Sequence, residues 1–229
     1  AYSGHDWFYE TAKWMAGKVS VPVAIHLDHG DSFERCMEML KLGFTSIMFD
    51  GSALPVEENA AATEAVARVC RSFGVPLEAE IGELCRLDDR GNKIGASNIA
   101  DPDVVRQYLK LCHPDSLAIG IGNAHGFYNG PVDIRVEVLE ECRKFTDIPF
   151  VLHGCTGMDE ELVKRSIDSG VAKINFGTQV RCQYVNYLKE GLAEGKDQGH
   201  AWKLSQYAEL RLREDIKDII RLAGSKEKA

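Results

Sequence analysis

Three times in this chain an apolar run ends in the dipeptide His-Gly: Val23-Ala24-Ile25-His26-Leu27-Asp28-His29-Gly30, Leu117-Ala118-Ile119-Gly120-Ile121-Gly122-Asn123-Ala124-His125-Gly126, and Phe150-Val151-Leu152-His153-Gly154. A short apolar run followed by glycine reads as a buried parallel strand and the turn leaving it. The three imidazoles are therefore predicted where three core strands surface, the edge on which α/β proteins build chemistry. Three neutral imidazoles that converge and leave a fourth position open form a catalytic zinc site. His29, His125 and His153 are the predicted ligands; the competing reading is three hydrogen-bonded structural histidines. His26 alternates with Asp28 and reads as packing or as a support behind a ligand. His5, His113 and His200 fall in loops and carry no predicted role.

The acids around these histidines admit two readings each. Asp28 precedes a ligand, so it either shuttles a proton at a substrate hydroxyl or orients a histidine. Glu78 and Glu80 share one face of a strand, because side chains alternate with period two. A buried carboxylate needs a partner, and a metal is one; Glu80, nearer the strand's carboxyl end, is the candidate for an alternate ligand position, against an interior or surface ion pair. Asp50-Gly51-Ser52 ends another strand and either reaches the pocket or caps the next helix. His153-Gly154-Cys155-Thr156-Gly157 and Lys173-Ile174-Asn175-Phe176-Gly177-Thr178 each run from a strand end through small residues into a helix start. Amides exposed at such a place bind phosphate, and ordinary turn and capping chemistry is the alternative. Cys155 reads as filler. The polar run Asp88-Asp89-Arg90-Gly91-Asn92-Lys93 reads as solvated surface or as a lid carrying an acid.

Alternating segments must position these groups. Strand-like stretches at 21–27, Ser46–Phe49, 76–81, 117–121, Phe150–Leu152 and 172–176 are each followed by a helical pattern. Those helices are Phe33–Leu42, Val56–Phe73, Pro102–Leu111, 134–144, Glu160–Asp168 and 179–192, with a further helix over 204–222. Gly43, Gly74 and Gly170 stand where left-handed helix ends belong. Six βα units in succession predict a parallel sheet with right-handed crossovers. The favoured architecture is a (β/α)8 TIM barrel whose first two βα units are absent, the opening Ala1-Tyr2-Ser3-Gly4-His5 reading as the middle of a loop. An open sheet is the alternative. No composition break divides residues 1–229, which read as one domain. The chain of 229 residues, 45% hydrophobic, can bury a large core, and a net charge of −8 gives no bulk attraction for nucleic acid or anionic membrane. Seven scattered cysteines (36, 70, 85, 112, 142, 155 and 182) without a C-x-x-C pair read as reduced fillers in a cytoplasmic protein.

Taken in order, His26-Leu27-Asp28-His29, Phe49-Asp50-Gly51-Ser52 with Pro55 and Glu57-Glu58-Asn59, Glu78-Ala79-Glu80-Ile81-Gly82, Ala124-His125-Gly126, Leu152-His153-Gly154 and Lys173-Ile174-Asn175 resemble the class II, zinc-dependent ketose-bisphosphate aldolases, the fructose- and tagatose-bisphosphate aldolase family. The resemblance implies a TIM barrel, a homodimer or homotetramer, and one Zn²⁺ per subunit on His29, His125 and His153. Co²⁺ or a similar divalent ion, and an additional monovalent cation, stay open. It implies that Asp28 is the acid/base at the substrate hydroxyl and that Glu80 matches an acid near the metal's alternate position. It places Gly126, Gly154, Thr156, Asn175 and Thr178 along the phosphate and ketose end, and Asp50 near the bound sugar. The implied reaction is reversible cleavage of a phosphorylated ketose to dihydroxyacetone phosphate and an aldehyde through a zinc-stabilised enediolate. The chain departs from the family at three places. The first two strands have no counterpart. The run 83–89 lacks the glycines of the family's mobile loop, where Asp88 or Asp89 would replace the proton donor. Thr156 stands where serine is common. The alternatives are a same-fold aldolase on another ketose phosphate, as in inositol or sulfosugar breakdown, a non-catalytic sugar-phosphate-binding barrel, and a zinc hydrolase.

Overall fold

A computed structural model describes residues 4–82, 85–87, 93–94, 99–126 and 133–228. Helix α1 (His5–Ala16) leads into β1 (His26–Gly30), α2 (Phe33–Leu42), β2 (Ser46–Phe49), α3 (Val56–Phe73) and β3 (Leu77–Ile81). Two short strands follow, β4 (Cys85–Leu87) and β5 (Lys93–Ile94), then α4 (Pro102–Leu111), β6 (Ser116–Ile119) and β7 (Ala124–His125). The chain continues through α5 (Glu137–Arg143), β8 (Phe150–Leu152), α6 (Glu160–Asp168), β9 (Val171–Ile174), α7 (Thr178–Ala193) and α8 (Ala201–Leu222). The helices start where side chains can take up free amides: Ser32 accepts from the Arg35 N–H, Asp101 from Asp103 and Asp159 from Glu161.

Six strands form one parallel sheet in the order β1-β2-β3-β6-β8-β9. In a flat sheet the outer two would lie roughly 24 Å apart, five strand spacings. Instead Asn175, just past β9, donates to Asp28 of β1 at 3.0 Å, so the sheet is curled until its two edges meet through side chains. Period-two alternation then separates two environments. Ile47, Phe49, Leu77, Ala79, Leu117, Ile119, Phe150 and Leu152 pack outward under the helices. Met48, Ala118 and Val151 form a small buried cluster of their own between them, on the face that also carries Glu78 and Glu80.

Several expectations are corrected. The first strand begins at His26 rather than residue 21, so His29 lies inside it. His125 does not end the β6 strand; it sits on the separate strand β7, which pairs with β4 in a small three-stranded sheet. The helix expected over 134–144 contracts to Glu137–Arg143. The opening is not mid-loop at His5, because Gly4 caps a helix that starts there. Gly43 and Gly74 end their helices with left-handed backbone, whereas Gly170 adopts it one residue past the cap, Ser169. Asp88 and Asp89 lie outside the described residues. No helix among the described residues is long and apolar enough to cross a membrane.

Candidate active site

Regular alternation would send Asp28 and His29 to opposite faces of β1. The pairing of β1 with β2 shifts register between Leu27 and Gly30, and His29 takes a left-handed φ of 51°. This bulge turns the His29 ring toward the carboxyl edge of the sheet beside Asp28. There it meets His125 and His153, with ring centroids 5.0 Å and 4.8 Å away and 6.0 Å between those two. Each of the three offers one nitrogen to a group whose ligand atoms lie within 4.8 Å of one another. Gly154 lets the β8 loop approach β7: its φ is +64°, and a β-carbon there would stand 2.4 Å from the Ala124 carbonyl oxygen. Asn123, buried, ties the same two segments by donating to the His153 carbonyl at 2.7 Å.

Carboxylates behind the rings set their hydrogens. Asp50 Oδ2 lies 2.7 Å from His29 Nδ1, and Glu78 Oε1 lies 2.9 Å from His153 Nε2. Burial pushes the Asp50 pKa up, but hydrogen bonds from His29 and Ser52 bring it down to about 2. Burial likewise opposes ionisation of Glu78, and the His153 hydrogen bond and the Lys173 ammonium outweigh it, leaving the pKa lowered. Ionised carboxylates only accept, so each takes a ring N–H. The other two nitrogens, His29 Nε2 and His153 Nδ1, then face each other at 3.1 Å. Two facing lone pairs repel unless a proton or a metal cation lies between them. Nitrogens about 2.0 Å from one tetrahedral ion lie about 3.3 Å apart. The donor set and its spacing therefore fit a divalent metal, with carboxylates orienting the ligands from behind.

Glu80 adds a second observation. It is 1% exposed, and its Oε2 has no hydrogen-bond partner among the described residues and lies 3.6 Å from His29 Nδ1. Burial and the neighbouring Asp50 charge raise its pKa to about 8. With His29 and Asp50 it forms a second group whose ligand atoms lie within 4.8 Å of one another. For His29, burial works against the charged ring, but Asp50, Glu80 and Asp28 more than offset it and the pKa rises. His26 is driven to about 4, mainly by burial and by Lys173; its Nδ1 pairs with Ser46 Oγ at 2.8 Å and its Nε2 lies 3.4 Å from Lys173 Nζ.

A cavity of about 850 Å³ opens over these groups. Asp28, His29, Asp50, Glu80, His125, Gly126, Gly154, Thr156, Asn175 and Thr178 all line it, whereas His153 and Glu78 are buried behind. Asp28 is exposed to the cavity, with Oδ1 4.0 Å from His153 Nδ1 and held by Asn175. Thr156 Oγ1 accepts from the Gln179 N–H at 3.1 Å, which joins the β8 loop to the first turn of α7. Among the cavity residues without a role in the sequence reading are two cations. Lys173 reaches Glu78 at 2.8 Å, and Arg181 crosses the start of α7 with Nη2 3.4 Å from Thr178 Oγ1. Strand position could have drawn attention to the lysine, but nothing in the sequence places the arginine.

Fold and site define a class: a curled parallel α/β sheet with a candidate metal centre at the carboxyl ends of its strands. The family described as "Fructose-bisphosphate aldolase class-II" matches residues 1–228, and the chain belongs to that family of metal-dependent carbon–carbon lyases, which act on small phosphorylated sugars. The chain is 34% identical to a fructose-bisphosphate aldolase of Staphylococcus epidermidis, over 97% of this chain and 79% of that one. It is 40% identical to a 6-phospho-5-dehydro-2-deoxy-D-gluconate aldolase of Bacillus velezensis, over 70% of this chain and 55% of that one. The crystal structure of the YdjI aldolase from Escherichia coli K12 superposes with a TM-score of 0.83 at 29% identity, covering 100% of this chain and 78% of that one.

Proposed function

We propose that the protein is a zinc-dependent aldolase that reversibly cleaves a phosphorylated ketose of the fructose- or tagatose-1,6-bisphosphate kind to dihydroxyacetone phosphate and an aldehyde. The observation that carries this reading is the pair of ring nitrogens, His29 Nε2 and His153 Nδ1, facing at 3.1 Å beside the exposed carboxylate of Asp28. His29, His125 and His153 would hold the ion, and Glu80 would serve its alternate position. The ion, when bound, supplies Lewis acidity to a carbonyl oxygen. Asp28, steadied by Asn175, takes the proton of the hydroxyl on the carbon beyond the scissile bond. That carbon becomes the aldehyde carbon as the C–C bond breaks, and the bonding pair stays with the dihydroxyacetone fragment, which a proton then quenches. Gly126, Gly154, Thr156, Asn175 and Thr178 line the phosphate and ketose end, where the start of α7 offers amides to an anion and Arg181 adds a cation. Asp50 orients His29.

The same reading takes the six curled strands as part of a (β/α)8 barrel, forming a homodimer or homotetramer in the cytoplasm. Burial pushes the thiols of Cys36, Cys142 and Cys155 to about 12 and those of Cys70 and Cys112 to about 11, in keeping with inert fillers. A second reading, cleavage of 6-phospho-5-dehydro-2-deoxy-D-gluconate, is favoured by the 40% identity to an aldolase of that name. Metal analysis with coupled cleavage assays on these three sugars separates the readings. Chelation should abolish cleavage and Zn²⁺ or Co²⁺ restore it. Asp28→Ala should keep metal binding and lose about 10²–10⁴-fold in turnover. Sugar-phosphate binding without cleavage of any of the three, or full activity after chelation, would overturn the proposal.

A further inference from the structure

Lys173 lies within β9, with its side chain about one-third exposed at the cavity. Its orientation comes from a second irregularity in the sheet. The β8–β9 pairing shifts register between Phe150 and Val151, which brings Lys173 opposite Val151 and onto the inner face. From there Nζ donates to Glu78 Oε2 at 2.8 Å and lies 3.4 Å from His26 Nε2, whose other nitrogen is tied to Ser46. Glu78 is 2% exposed, and its second oxygen is the one that meets His153 Nε2. Three strands thus converge on a chain from ammonium to carboxylate to imidazole. It ends on the nitrogen across the ring from the one facing His29.

We propose that Lys173 is a positioning residue that fixes the tautomer of His153 through Glu78. By anchoring Oε2 it holds the carboxylate in the one rotation in which Oε1 takes the His153 Nε2–H, and the lone pair stays on Nδ1, aimed at the ion. Without the ammonium Oε2 loses its anchor, and the hydrogen bond that holds the ring hydrogen on Nε2 is weakened. The inference rests on reading His153 as a ligand. A lysine serving only to neutralise a buried charge would stabilise the fold without deciding which ring nitrogen carries hydrogen. Lys173 is instead tied to the oxygen that His153 does not use, which leaves the other free for it.

Long-range ¹H–¹⁵N spectra of ¹⁵N-histidine-labelled, metal-free protein read the tautomer directly, with His153→Gln assigning the signal. Wild type and Lys173→Arg should show hydrogen on Nε2 alone, and Lys173→Met a mixture or hydrogen on Nδ1. Zinc affinity, measured by chelator competition, should fall about 10–100-fold in Lys173→Met and recover in Lys173→Arg. Glu78→Gln should fall by a similar factor, and adding Lys173→Met to it should cost nothing more. An unchanged tautomer and affinity in Lys173→Met, or losses that multiply in the double variant, would overturn the proposal. If Lys173→Met does not fold, the double variant, which buries no unpaired charge, is compared with Glu78→Gln alone: equal affinities support the proposal and a further loss overturns it. If wild type binds no zinc, the metal reading fails, while the metal-free tautomer spectra still decide the role of Lys173.

Discussion

Gly154→Ala should pull the candidate metal centre apart without touching a ligand. A β-carbon at this position would lie 2.4 Å from the Ala124 carbonyl oxygen and 2.8 Å from its carbonyl carbon, both backbone atoms with no rotamer to yield. Contacts under 3.0 Å are not sustained and ordinary contact begins at 3.4 Å, so the two segments must separate by 0.6 to 1.0 Å. Ala124 adjoins His125 and Gly154 adjoins His153, so the strain falls between two ligands. The Asn123 bond to the His153 carbonyl, 2.7 Å long, resists relief elsewhere. A functional constellation tolerates about 0.5 Å of displacement, and a 1 Å error costs about 10²-fold. We expect zinc to bind about 100-fold more weakly, about 2.7 kcal/mol. A left-handed alanine adds about 1–2 kcal/mol against folding, and a chain of this size should lose roughly 2–8 °C in Tm. Chelator competition without substrate isolates the metal effect, and thermal melts of metal-free protein isolate the backbone effect. If Gly154→Ala binds zinc as tightly as wild type and melts at the same temperature, the packing argument is wrong.

Two further outcomes follow from the charges. Zinc must displace protons from its imidazoles, and the raised His29 pKa means that the ring begins to hold a proton at higher pH than an ordinary histidine. Affinity should therefore weaken as pH falls from 8 to 6, steepening below the raised His29 value; an affinity flat over that range, by competition titration, would refute the assignment. Far from the site, Arg143 donates to the carbonyls of Thr146, Ile148 and Gly170 at 3.0, 3.1 and 3.0 Å and covers the Phe150 ring at 4.3 Å. Arg143→Ala should cost about 2–4 kcal/mol, seen as a lower Tm with zinc affinity per folded molecule unchanged; an unaltered melt would remove it as a clamp.

The helices and inner strands were legible because their signals are local. Phe33–Leu42 and Val56–Phe73 carry a helical apolar period and end on Gly43 and Gly74, and both match the structure. Helix α1 is not legible in the same way: Trp7, Phe8, Trp14 and Met15 share one helical face but all are exposed rather than packed on the core, and Gly4 offers no capping side chain. The apolar run ending in His125-Gly126 points to the end of the strand before it, and only the pairing of β7 with β4 reveals the separate support of His125. The division of labour between Glu78 and Glu80 was also hidden. Alternation puts both on one face, but which histidine each meets depends on the curl that brings β1 and β8 over β3.

The same limit accounts for Lys173, and it suggests where such sites can be read. Strands β2, β3 and β6 pair without a shift, and their inner residues follow from parity. The register shifts fall at β1 and between β8 and β9, the strands that bring Asp28, His29 and Lys173 to the site. Asp28 and His29 are adjacent polar residues in an otherwise alternating strand. Both cannot face one cavity on regular backbone, so one is idle or the strand is bulged. A pair of neighbours that both carry chemistry is therefore itself a signal of broken alternation. Here the left-handed φ of His29 is the physical form that break takes.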